Sequence, residues 1–202
     1  MAMRGRIFLL LALAMLAAVI SPAGVRADDP VAVSCDGFVI GYQGPAKQRG
    51  CVIVKVEEGT QSYTSSQLTV IDHAFFILMY YIESGFKTYM PLHTLQEMTE
   101  DSKVFGATGD WLQQRSILGF DVAVFNGALK GREIPSLCAI FSRYSGDPGN
   151  QVDYTMGPGF KNHVVGYYCA VTASLPPEQQ GEGFYAVVQN VIGQLTVPPV
   201  DQ

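Results

Sequence analysis

Charge is scarce in this sequence: Asp, Glu, Lys and Arg together make 15% of its 202 residues, 13 basic against 18 acidic. The basic residues stand singly and form no stripe that would neutralise a phosphate backbone, which excludes nucleic acid as a partner and argues against anionic lipid headgroups. Other things are missing too. No internal repeat occurs, no alternating βαβ pattern and no Cys-x-x-Cys pair. There is no Gly-x-Ser-x-Gly elbow, and Gly181-x-Gly183 lacks the third glycine of a dinucleotide loop and follows no strand directly. Solenoids, doubly wound nucleotide-binding folds, thioredoxin-like redox centres and hydrolases of the nucleophile-elbow type are thereby set aside.

What is present is apolar and rich in turns. Hydrophobic residues make 48%, aromatic residues 11%, and the chain holds 21 Gly and 11 Pro, the composition of one globular, loop-rich domain. The N-terminus reads as a secretory leader. Arg4 and Arg6 precede an apolar run from Ile7 to Ile20, and Val25-Arg26-Ala27 sets small side chains at the two positions a signal peptidase reads. Cleavage is expected after Ala27. A run of about 14 residues falls short of the ~20 that span a bilayer. Beyond Ala27 the longest apolar run, Ala74 to Ile82, has nine. Losing Arg4, Arg6 and Arg26 with the leader takes the formal charge from −5 to −8. The rest, 28–202, is expected as a single soluble domain in the periplasm or outside the cell.

All four cysteines, Cys35, Cys51, Cys138 and Cys169, lie in the exported part, where thiols oxidise. Loop closure favours Cys35 with Cys51 and Cys138 with Cys169.

Residues 31–33, 38–40 and 52–56 read as strands, Gly59 to Gln67 as a polar connection, and Phe75 to Ile82 with Phe86 to Leu92 as a buried hairpin turning at Ser84-Gly85, with helix as the competing reading of the first arm. Thr94-Leu95-Gln96-Glu97 has the form of a capping box and predicts a short helix to about Lys103, broken by Gly106 to Asp110. Ile117 to Phe125 is a strand followed by turns at Asn126-Gly127 and Lys130-Gly131, and Ile134 to Tyr144 pairs back on it. Ser145 to Lys161 is a long loop, and His163 to Ala173 resumes as a strand that brings Cys169 beside Cys138. Ser174 and the following prolines open a C-terminal helix with one apolar face, Phe184, Val187, Val188, Val191, Ile192 and Leu195. The expected fold is α+β, an antiparallel sheet with that amphipathic helix, and the shorter one, packed on one face.

The chemistry-bearing residues are few. Asp72, His73, His163 and Arg143 are the candidates for a hydrolase or transferase site, although neighbours on a strand such as Asp72 and His73 point to opposite faces and would not orient one another. His73, His93 and His163 show no helical ligand spacing; Met90, Met98 and Met156 are soft donors, but methionines are few after the leader and packing in apolar strands explains Met79 and Met90, so no metal and no cofactor is expected. The aromatic load points elsewhere. Tyr42, Tyr63, Tyr144 and Tyr154 fall in or beside loops, whereas Tyr80-Tyr81 and Tyr167-Tyr168 fill sheet faces. The loop from Tyr144 to Phe160 joins Tyr144, Asp147, Tyr154 and Phe160 on a glycine-rich frame, while Asp147 and Asp153 lack the alternating carboxylates of a calcium loop. The expected function is a non-enzymatic exported binding or accessory domain with that loop as its contact surface and an envelope protein or carbohydrate as partner.

Overall fold

A computed structural model describes residues 26–58, 61–85, 90–102, 104–129, 134–146 and 159–199. In chain order the strands are β1 (Arg26–Ala27), β2 (Val31–Val33), β3 (Gly41–Tyr42), β4 (Gln48–Glu58), β5 (Gln61–Ile71), β6 (Phe75–Ser84) and β7 (Met90–Pro91), then helix α1 (Leu95–Asp101). There follow β8 (Phe105–Trp111), β9 (Arg115–Ile117), β10 (Phe120–Leu129), β11 (Ser136–Ser145), β12 (Gly159–Phe160), β13 (Asn162–Val171), helix α2 (Phe184–Gly193) and β14 (Leu195–Thr196). The main sheet runs β1-β4-β5-β6-β13-β11-β10-β8, with β2 added to β4 and β9 to β10, and its pairings are antiparallel.

The central strands read as nearly continuous apolar runs because both of their faces are covered. Alternation separates two clusters. Val122 and Val124, Leu137, Ala139 and Phe141, Val164 and Tyr168, and Ile77 and Met79 share one cluster with Phe184, Tyr185, Val188, Val191 and Ile192 of α2. Ala123 and Phe125, Cys138 and Ile140, Val165, Tyr167 and Cys169 belong to the other, with Leu95 and Met98 of α1. The two helices therefore fall in different clusters, contributed by alternate positions of the same strands, rather than together as expected. Gly166 stands opposite Phe141, and a Cβ there would lie 2.2 Å from the Phe141 ring, so the glycine makes room for that side chain.

Both expected disulfides are present. Cys138 and Cys169 are register partners across β11 and β13, with Cα atoms 4.1 Å apart, and Cys35 joins Cys51 at 5.3 Å. The capping box forms as read: the Glu97 N–H donates to Thr94 Oγ1 at 3.2 Å and the Thr94 N–H donates to Glu97 Oε2 at 2.7 Å.

Several local expectations are corrected. The segment taken as a polar connection is mostly β5, whose Ser66 and Gln67 are buried opposite Tyr81 and Tyr80, small or flexible polar groups beneath large rings. Gly106 to Asp110, read as ending the helix, do follow its end at Asp101, but they lie within β8 at the edge of the sheet rather than in an irregular break. The hairpin turn is Leu118-Gly119, with φ of 50° and 78°, between β9 and β10; Asn126-Gly127 lies inside β10, next to an irregularity in the β8 register. β6 is a strand, as preferred, but it pairs with β5 and β13, and Met90–Pro91 pairs with β12 rather than folding back on β6. The C-terminal helix starts at Phe184, after three 3-10 turns over 172–183, so Ser174 does not cap it and Leu195 lies beyond it, paired with Tyr42. Residues 1–25, the remainder of the expected leader, and Lys130-Gly131 lie outside the described residues.

Candidate functional site

β11 and β13 end at the pair Ser145–Asn162, and just inside that end Ser142, Tyr144 and His163 come together. Tyr144 stands opposite His163, and their rings stack with centroids 3.9 Å apart and planes 5° from parallel. Phe160 packs against Tyr144 at 5.5 Å. Through β12, Phe160 is the register partner of Met90. The backbone N–H of His93 donates to the Tyr144 hydroxyl at 3.1 Å. Tyr144 thus ties the end of β11, the start of β13 and the segment entering α1 into one assembly, and the capping box at Thr94 holds that segment in place.

Beneath the rings, Ser142 Oγ and His163 Nε2 share a hydrogen bond of 2.8 Å, both residues buried. Burial lowers the His163 pKa to about 3, with the charge on His93 adding to the effect, so the imidazole is neutral at ordinary pH and a weak base. Burial also raises the Tyr144 pKa. Hydrogen bonds from the Thr94 amide and hydroxyl hold the Glu97 carboxyl below its usual range. The pair is a serine beside an imidazole, yet the imidazole has little basicity to activate a hydroxyl and the hydroxyl has little access to a substrate.

The residues expected to act with His163 are elsewhere. Asp72 and His73 form the β5–β6 turn, where Asp72 Oδ1 accepts from the His73 N–H, at the Phe75 end of β6; His163 pairs with Ile82 near the other end, about 23 Å along the strand at 3.3 Å per residue. Arg143 precedes Tyr144 on β11 and points to the opposite face, where its guanidinium lies 4.6 Å over the Phe120 ring and donates to the Pro198 carbonyl, and burial lowers its pKa. Tyr42 and Tyr63 belong to β3 and β5 rather than to loops. Asp147 and Tyr154 lie outside the described residues. Among the described residues no group of three His, Cys, Asp or Glu side chains is placed to hold a metal, and no helix is long and apolar enough to cross a membrane.

Sequence reading grouped Tyr144 with Phe160 and kept His163 apart from them, weighed His93 as a metal ligand alone, and missed Ser142. A signal for Ser142 existed: taking Cys138 and Cys169 as direct cross-strand partners sets the register, which brings Tyr144 opposite His163 and Ser142 opposite Val165. The same register shows that the disulfide lies about 23 Å from the loop end of the hairpin, so the base of residues 144–160 is held by the Phe160–Tyr144–His163 stack instead. No family model, curated protein or solved structure matches this chain.

Proposed function

We propose that the protein is an exported, non-enzymatic binding or accessory domain that recognises an envelope protein or carbohydrate through residues 144–160. The leader would deliver it to the periplasm or the exterior, where both disulfides form, and α2 would cover one face of the sheet while the contact segment leaves the far end of the β11–β13 hairpin. The observation that carries this reading is the clamped Tyr144. Its ring is packed between His163 and Phe160 and its hydroxyl bonded from His93, which gives a long glycine-rich segment a rigid base. Preorganisation of that kind lowers the ordering cost of binding.

The test is truncation of the segment with the base intact. Tyr154→Ala and Asp147→Ala should leave the melting temperature unchanged and weaken capture of crosslinked envelope components, about thirtyfold for an aromatic anchor worth ~2 kcal/mol. Full capture by both variants rejects the assignment. The Ser142–His163 hydrogen bond favours a second reading, a small serine hydrolase or transferase. Labelling by a fluorophosphonate probe that disappears in Ser142→Ala would establish it; the buried, weakly basic imidazole predicts no labelling.

A further inference from the structure

At the same end of the sheet, across β6, β5 and β4 from the Ser145–Asn162 pair, a cavity of about 370 Å³ is lined by Lys55, Glu57, Ser62, Thr64 and Glu83, with Val56, Tyr63, Ser84 and Gly85 between them. Lys55 stands opposite Thr64 and Thr64 opposite Glu83, while Glu57 stands opposite Ser62. Alternation puts these five on one face, the face on which Cys51, Leu68 and Tyr81 join the α2 cluster farther along the same strands. The apolar packing therefore stops short of the strand ends and a polar concavity takes its place. Its volume lies within the range of small-molecule sites.

The charges in it have no ion-pair partner among the described residues, and the Lys161 ammonium at its rim donates to the Gly85 carbonyl. The one ion pair among the described residues joins Arg115 and Glu182, and Lys55, Glu57 and Glu83 are exposed and form none. One ammonium and two carboxylates flank a hydroxyl-bearing floor, so the complementary ligand carries two cationic groups and one carboxylate. We propose that this cleft binds a small basic zwitterion, a free diamino acid of the lysine or arginine type, with its carboxylate on Lys55 and its cationic groups on Glu57 and Glu83. Glu83 stands opposite Asn162, so the cleft lies at the same strand end as the base of residues 144–160 but on the face away from Tyr144 and His163, and its assignment does not depend on the function proposed for that segment. Because the three groups are exposed, binding is modest in strength and weakens with salt.

Titration of the purified exported protein with L-lysine, L-arginine, cadaverine, L-glutamate and glucose, followed by amide chemical shifts and calorimetry, tests the assignment. Lysine and arginine should bind at one site with shifts centred on residues 55–57, 62–64 and 83–85. Cadaverine, which lacks the carboxylate, should bind more weakly. Glu83→Gln should weaken lysine binding by roughly tenfold at unchanged melting temperature, the order expected for a charge-assisted contact. Lys55→Met should weaken lysine binding and leave cadaverine bound at least as tightly as before, because the mutation removes the carboxylate's partner for the one and a like charge for the other. The proposal is overturned if glutamate or glucose binds as well as lysine, if the shifts centre on another part of the sheet, if Glu83→Gln leaves lysine binding unchanged, or if no probe binds.

Discussion

His163 makes the stability of this domain depend on pH in a way that can be separated from everything else that titrates. Its imidazole is buried against Tyr144 and Ser142, and its pKa falls from 6.5 in a free chain to about 3 in the fold. Between those two values the unfolded chain binds a proton that the folded protein does not, so unfolding becomes easier as the pH falls. The neutral histidine is tolerated fully above pH 6.5, and the stability associated with it is lost progressively on the way down to about pH 3. From pH 7 to pH 5 protonation of the unfolded state alone contributes about 2 kcal/mol, which for a chain of this size lowers Tm by roughly 4–8 °C. Other groups add their own dependence, Glu97 among them at lower pH. The relevant quantity is thus the difference between the native protein and His163→Gln, which keeps a polar partner for Ser142 and has no titration. Denaturant midpoints at half-unit steps from pH 7 to pH 4.5 should show the native curve falling more steeply than that of the variant, by close to 1.4 kcal/mol per pH unit below pH 6. Parallel curves would refute the reasoning, because they would mean that His163 protonates in place and is neither dry nor weakly basic.

Three further outcomes follow from the packing. Leu118→Asn should stabilise the domain by ~1 kcal/mol in thermal or denaturant unfolding, since leucine at φ 50° is strained in a two-residue turn and its side chain is exposed; a loss of stability would show that the leucine makes a contact of value. Gly166→Ala should cost about 1–3 kcal/mol, because the new methyl group meets the buried Phe141 ring, and Phe141→Leu should recover part of that loss in the double variant. Val188→Asp, at a fully buried position of α2, should cost ~4 kcal/mol or more, whereas Gln189→Asp on the exposed side of the same helix should change the melting temperature little; equal midpoints would contradict the proposed buried face.

The features legible in the sequence were those whose cause is local. The i, i+3, i+4 apolar pattern from Phe184 to Ile192 produced α2, the Thr94–Glu97 pair capped α1, and Cys138 and Cys169 lie in segments that were read as neighbouring strands. The features that were missed have distant causes. β5 is polar in composition, and only its position between β4 and β6, under Tyr80 and Tyr81, makes Ser66 and Gln67 interior residues. Asn126-Gly127 carries the stronger local turn signal, yet Phe120, Val122 and Val124 bury their side chains in one cluster and Phe125 in the other, so the chain must stay extended there and the turn falls on Leu118-Gly119. Asp72, His73, Arg143 and His163 looked like partners by residue type alone; strand direction put two of them at the wrong end of the sheet and alternation put a third on the wrong face. His93 reaches Tyr144 only because residues 90–91 pair with 159–160, a contact between segments some seventy residues apart that no local pattern encodes.

The Cys138–Cys169 bridge has a consequence for how the molecule fails. It closes a covalent ring from Cys138 to Cys169, a sequence separation of 31, that holds most of the β11–β13 hairpin and includes residues 144–160. A protease that cuts the backbone within that ring breaks the chain but does not divide the molecule: the two pieces remain joined through sulfur, and the ladder from Ser136–Val171 to Ser145–Asn162 keeps its register. Nicked protein should run as one band without reductant and as two with it. A cut between Cys138 and Cys169 therefore severs the chain without the two halves of the domain drifting apart.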